Sequence, residues 1–244
     1  DEEILDAFLH AHLPQRLLVD LEAFMEVVNG PLAVRSSSLL EDSHYQPFAG
    51  VYSTYMIPYV TDKYKRIELL AYAVKAVYAS VYYQSSKDYM TATSNVIDQE
   101  KMAVILQEVV GEAHGDRFYP VISGVARSVN YYPIGDEKAE EGTVSLAMGL
   151  GKYIVDGGQS LRVNPYHPDK VLQMSEMETA LRDTQTAFLA LDLKSTDPHK
   201  FCVDDGFDLV KVPVRKADAD GTLKYICSTF DPEDQIIRDG YYEG

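Results

Sequence analysis

A chain of 244 residues, 46% hydrophobic and 25% charged, has the length and apolar content to bury a core as one large domain or two small ones. Its formal net charge of −16, with no Lys/Arg stripe, argues against a nucleic-acid backbone as partner. It leaves a nucleotide admissible, because a local arginine or a bound magnesium reverses the field at one spot. Two cysteines, Cys202 and Cys227, make no disulfide framework and fit a reducing compartment. No apolar run approaches the roughly 20 residues that a bilayer span needs. The acidic start, DEEILDAFLH, has no signal-peptide pattern. A cytoplasmic protein without a membrane partner is expected, and the missing initiator Met suggests a chain processed or cut from something larger.

In chain order, Glu2 to Leu9 reads as a short helix. Pro14 opens a second, with Leu17, Leu18, Leu21, Phe24, Met25 and Val28 at helical spacing and a stop at Asn29-Gly30. Leu32-Ala33-Val34 is an apolar strand that empties into a polar loop, Arg35-Ser36-Ser37-Ser38, followed by Glu41 and Asp42; Val51 to Met56 is a second extended piece. The spacing predicts one helix from Asp62 to about Met90, with Ile67, Leu70, Val74, Val77 and Val81 as its stripe, and a polar loop over Thr91 to Asp98. Met102 to Val110 reads as a buried strand, Phe118 to Val129 as another and Thr143 to Met148 as a third, with a charged hairpin-like segment over Pro133 to Gly142. Gly157 to Lys170 is expected to be an ordered loop with few ladder bonds. Ser175 with Glu178 has the form of a capping box for a helix to about Leu189. Phe207 to Arg215 and Leu223 to Phe230 form two strands around Asp220-Gly221, a hairpin signal, and the tail from Asp231 is polar. This order implies α/β to α+β, with mixed sheets and packing helices. The weakly marked boundary falls after residue 157, giving regions 1–157 and 158–244, the second carrying a helix and a C-terminal hairpin.

Three constellations carry candidate chemistry. A guanidinium fork with neighbouring hydroxyls, as in Arg35-Ser36-Ser37, matches phosphate geometry; the alternative is a strand end whose arginine pairs with Glu41 or Asp42. Gly149-Leu150-Gly151, followed by Gly157-Gly158, lets backbone approach a phosphate or simply makes a tight loop. Gln107-Glu108 breaks an apolar strand at its exit, as a hinge that meets a base edge-on would, or points outward with no ligand. There is no P-loop, no GxGxxG, no HExxH or CxxC and no GxSxG, so a dinucleotide fold, a structural zinc and a hydrolase triad have no support, and no metal ligands are assigned.

Arg35-Ser36-Ser37, Glu41-Asp42 and Phe48-Ala49-Gly50 together resemble the signature of the nucleotide-binding domain of the pyruvate phosphate dikinase and phosphoenolpyruvate synthase family. Val77-Tyr78-Ala79-Ser80, Met102 to Val110, Ser123-Gly124-Val125 with Asn130 and Pro133, and Gly149-Leu150-Gly151 with Val155 and Gly157 are similar to its further motifs, in the same order. The resemblance implies an ATP-grasp-like, two-lobed fold, of which this chain would be an incomplete fragment. It implies an ATP-dependent phosphotransferase as parent, with Mg²⁺, that phosphorylates a carrier histidine on a separate domain and through it pyruvate. By that resemblance Arg35 is the catalytic arginine on the ATP phosphates. Ser36 and Ser37 lie beside it, and Gln107, Glu108, Val109 and Val110 line adenine at the hinge. Ser123 and Gly124 place a backbone turn at the nucleotide; Lys152, which departs from the family and cannot bind a metal as its acid would, is a candidate for direct contact with phosphate. Where the family has an acid, this chain has Lys152, and Val51 and Arg127 also depart from its pattern. Those departures carry the alternative, a non-catalytic nucleotide-binding or structural module of a large multidomain protein.

Overall fold

The computed structural model describes residues 1–39, 41, 50–92 and 100–242. They fold into two units: residues 1–110 with 191–209, and residues 111–190 with 210–244. The chain crosses between them after Val110, after Ala190 and after Leu209. Among the described residues no helix is long and apolar enough to cross a membrane.

In the first unit, helix α1 (Glu2–His10) buries Leu5, and helix α2 (Gln15–Val27), entered from Pro14, buries Leu21 and Met25. Strand β1 (Leu32–Ser38) pairs antiparallel with β2 (Thr54–Ile57) on one side and β3 (Met102–Glu108) on the other. Helix α3 (Lys63–Ser80), N-capped by the Asp62 carboxylate, lays Leu69, Leu70, Ala73, Val74 and Val77 into one core with Leu32, Val34, Tyr55 and Ile57. The returning segment 191–209 is fastened to β2, because the Thr54 N–H donates to Asp205 Oδ2 at 2.7 Å and the Tyr55 hydroxyl to Cys202 O at 3.0 Å.

In the second unit, β6 (Ser123–Arg127), β7 (Thr143–Ala147) and β8 (Leu161–Val163) form an antiparallel sheet. A second sheet, all but the ends of two strands in this unit, has the order β10 (Leu209–Pro213), β9 (Ala187–Asp192), β5 (Arg117–Tyr119), β4 (Glu112–His114). Short helices α5 (Lys152–Val155), α6 (Met177–Asp183) and α7 (Arg215–Ala219) and a terminal hairpin, β11 (Ser228–Asp231) with β12 (Ile236–Asp239), complete it. Its core joins Tyr119, Met148, Phe188, Ala190, Val212 and Ala217. The architecture is mixed α/β.

Several elements differ from their sequence reading, each for a local reason. The single helix expected over 62–90 is α3 followed by α4 (Gln84–Ala92). Buried Ser80 donates its hydroxyl to Val77 O, and buried Ser86 donates to Ser80 O, so side chains take carbonyls at the break. The strand β1 runs on through Arg35–Ser38, which are not a loop. The strand expected to be buried, β3, is half-exposed, with Ala103, Ile105 and Gln107 on its open side. Pro120 divides the expected strand over 118–129 into β5 and β6. Ser175 does not cap a helix: its hydroxyl donates to Leu172 O at 2.7 Å, and the helix is only Met177–Asp183, with β9 where its second half was expected. Gly157 to Lys170 contains β8. Asp220-Gly221 ends α7, with Gly221 at φ +74°, rather than turning a hairpin. Asp220 is held there by Arg117 at 3.0 Å and the Tyr119 hydroxyl at 2.8 Å. The real hairpin lies in the polar tail, where the Asp231 carboxylate accepts from Glu233 and Asp234 N–H groups and closes the turn. Of the loop expected over Thr91 to Asp98, Thr91 and Ala92 belong to α4 and the rest, like Asp42 and Phe48-Ala49, lies outside the described residues.

Candidate functional site

The candidate residues fall into two groups, one in each unit. In the first, the pleat decides which side chains share a face, since successive residues of a strand point to opposite sides. Val34, Ser36 and Ser38 point to the covered side of β1, while Arg35 is exposed. The register sets Arg35 opposite Ile105 and Thr54, Ala33 opposite Gln107 and Met56, and Ser37 opposite Ala103. Arg35, Ser37 and Gln107 therefore lie on one open face. The Arg35 guanidinium donates to Gln107 Oε1 at 3.4 Å and forms no ion pair among the described residues. A long bond to a neutral amide leaves most of its fork available to phosphate oxygens.

Ser36 is turned away from that face. Its hydroxyl donates to Glu41 Oε1 at 2.8 Å, the Ser38 N–H donates to Glu41 Oε2 at 2.9 Å, and the Glu41 N–H donates back to Ser38 Oγ at 3.0 Å. Glu41 thus clasps the end of β1 instead of pairing with Arg35. Glu41→Ala leaves a buried hydroxyl and a strand-end N–H without their acceptor, so it should destabilise the chain by about 2 kcal/mol. Thermal unfolding by circular dichroism checks this, with Glu41→Gln, which keeps one acceptor oxygen, falling between wild type and Ala.

At the strand exit, the Glu108 side chain lies over Gly30, where a Cβ would stand 2.6 Å from Glu108 Oε1. The Val109 N–H is engaged by Pro31 O at 2.8 Å, and Val110 is 82% exposed. The backbone at Val109 is therefore already partnered within the unit.

In the second unit, Ser123 opens β6 and donates its hydroxyl to Gly149 O at 2.6 Å. Gly124 sits tight against β7, where a Cβ would meet the Leu146 side chain at 2.9 Å. Gly149 adopts φ +84°, its N–H reaches Pro120 O at 3.3 Å, and the next N–H, of Leu150, donates to Leu189 O at 2.9 Å. A Cβ on Gly151 would meet nothing nearer than Ser123 at 3.7 Å, so this backbone has an open approach. Lys152 follows at once, but its side chain is only 19% exposed and its ammonium lies 3.4 Å from Asp156 Oδ1 in the same turn. Ser123, Gly124 and the Gly149–Lys152 turn are thus brought together. Among the described residues no three His, Cys, Asp or Glu side chains are placed to hold a metal ion. A magnesium carried on nucleotide phosphates needs only one or two carboxylates and does not depend on such a cluster.

Sequence reasoning missed the clasp role of Glu41 and the role of Gln185. The Gln185 amide accepts from Met148 N at 2.8 Å and donates to Met148 O at 3.0 Å, fixing the residue before Gly149. Nothing in the local sequence around Gln185 signals a bond across 37 positions.

An arginine on an open sheet face in one unit and a glycine turn with open backbone in the other are donors suited to an anion, and the mixed α/β topology is consistent with a nucleotide-binding domain. The sequence of residues 1–197 matches the family described as pyruvate phosphate dikinase, AMP/ATP-binding domain. The chain belongs to that family. A search of curated proteins found no match.

Proposed function

We propose that this chain is the ATP-binding part of a dikinase-type phosphotransferase, in which ATP phosphorylates a carrier histidine on another domain and, through it, pyruvate. Family membership over residues 1–197 carries this reading. The exposed Arg35 fork beside Ser37 and Gln107 supports it as a phosphate clamp. In this reading the fold is ATP-grasp-like, Gln107 steadies Arg35, Glu108–Val110 line adenine, and the Ser123–Gly124 and Gly149–Gly151 backbone meets the nucleotide. Phosphoryl transfer asks the protein for positioning and charge neutralisation, which a guanidinium and backbone N–H groups supply. Bound Mg²⁺ would neutralise the phosphates; the carrier-histidine and pyruvate domains belong to a larger cytoplasmic parent.

Arg35→Ala in the parent protein should weaken ATP use by about 2 kcal/mol, roughly thirtyfold, because charge-assisted bonds contribute about 1.5–3 kcal/mol. Steady-state kinetics with Mg·ATP reads this directly, and unchanged kinetics would remove Arg35 from the phosphates. A second reading keeps nucleotide binding and drops catalysis. It is favoured by Lys152, which stands where the family has an acid and whose ammonium turns onto Asp156. Labelled ATP separates the two: an acid-labile phosphoryl group on histidine supports the transferase, and tight ATP binding without label supports the silent module.

A further inference from the structure

The second unit holds a cavity of about 410 Å³ that none of the residues proposed for the nucleotide lines, although Ile122, Leu146 and Met148 in its wall adjoin Ser123, Gly124 and Gly149. Its floor is the face of β7 and β8 that carries Leu146 and Leu161, and its roof is the inner face of the terminal hairpin, where Phe230 and Ile237 stand directly opposite each other. The hairpin lies beyond the 1–197 stretch that matches the family, so the matched residues alone do not form the cavity.

Several polar groups in its wall are already engaged within the unit. Gln185 is taken up by Met148 and by Ala187 O at 2.9 Å, and Gln173 accepts from Arg162 N at 2.7 Å and donates to Ser160 O at 2.8 Å. The Asp183 carboxylate is held by Arg182 at 2.7 Å and 3.0 Å. Among the described residues that line the cavity there is no Lys, Arg or His. What remains facing the space is chiefly hydrocarbon, with no cation to hold a phosphate or a carboxylate. Apolar cavities of roughly 150 Å³ stay dry and take up benzene. Ligand pockets start at about 300 Å³ and are lined mainly by apolar side chains. The space is partly open, with Ile122, Met174 and Leu181 exposed in its wall, so it is a surface pocket that a ligand can enter rather than an interior void.

We propose that this cavity is a binding site for a small, uncharged, apolar molecule of one or two fused rings. The site does not depend on the nucleotide reading, and its test contains no ATP. Indole is the probe, and methionine methyl groups labelled with ¹³C are the reporters. Met148 and Met174 line the cavity, whereas Met25 and Met90 are buried in the first unit. Indole should shift the Met148 and Met174 signals saturably and leave Met25 and Met90 in place. Ala180→Leu, which fills the wall from a buried position, should weaken indole at least tenfold. Thr184→Phe, at an exposed position of the rim, should do the same. Indole-3-acetate, of similar shape but anionic, should bind at least tenfold more weakly than indole. The proposal is overturned by the absence of a saturable shift, by equal shifts at all four methionines, by indole binding that neither variant weakens, or by indole-3-acetate binding as well as indole.

Discussion

Gly149→Ala should destabilise the chain by about 3 kcal/mol or more, the largest effect expected of any single methyl group added to the candidate site. Two contributions add. At φ +84° an L-residue stands in the left-handed region, which costs roughly 1–2 kcal/mol. The new Cβ would also lie 2.6 Å from Leu189 O and 2.8 Å from the Phe188 side chain. Neither neighbour can yield easily. Leu189 O accepts the Leu150 N–H at 2.9 Å, and Phe188 is fully buried against Tyr119 with ring centroids 4.6 Å apart. Overpacking of this kind typically costs a further ~1–3 kcal/mol. Gly157→Ala is the control, because Gly157 has nearly the same φ, +81°, with nothing within 4 Å of the place its methyl group would take. Urea unfolding followed by circular dichroism should therefore show a loss of about 1–2 kcal/mol for Gly157→Ala and about twice that for Gly149→Ala. Equal losses would mean that the clash relaxes and that the turn is not pinned between Pro120 and Leu189.

That pinning explains how much of the site could be read from the sequence. The glycine turn was legible as a turn because glycine admits the left-handed backbone, and β7 before it because five residues from Thr143 to Ala147 alternate with a strand's period. The helix α2 was legible from its apolar spacing and from Pro14. What decides the site's chemistry was not local. The bond from Arg35 to Gln107 depends on the register of β1 against β3, residues 72 positions apart, and no tight turn fixes that register in the sequence. The separation of Ser36 from Arg35 was available in principle, since a strand's period of two puts neighbours on opposite faces. It was hidden by reading Arg35–Ser38 as loop, because three serines in a row look like turn chemistry. The same ambiguity misplaced Ser175 and Asp220: a short polar side chain can cap, turn or tie, and the partner that decides is supplied by the fold. The order of motifs was a stronger signal than any one of them, and the family to which that order points is the one whose model matches residues 1–197.

Asp208→Asn should stabilise the chain by about 2–3 kcal/mol at pH 7.5 and leave it nearly unchanged near pH 4. Asp208 is 2% exposed, and its carboxyl receives the hydroxyl of Ser195. Burial above all, and then the nearby Asp192 charge, pushes its pKa up to about 6, while the Ser195 hydrogen bond and Lys200 pull the other way. An unfolded aspartate titrates near 3.9. Between those two values the folded chain binds the proton more tightly than the unfolded one. The stability linked to this group is therefore fully present below about pH 4, is lost as the pH rises through about 6, and stays lost above it. A gap of about two pKa units corresponds to roughly 3 kcal/mol. Asparagine still accepts from Ser195 but carries no charge to bury, so the variant should lose this pH dependence. The net charge of −16 also makes the wild type less stable as pH rises, through self-repulsion. Asp208→Asn changes that total by one charge only, so the difference between the two unfolding curves, measured in urea from pH 4 to 7.5, isolates the buried carboxyl. A difference that stays flat across that range would show that Asp208 is solvated in the folded chain, and that its ion, held by Ser195, is no burden to the segment between β9 and β10.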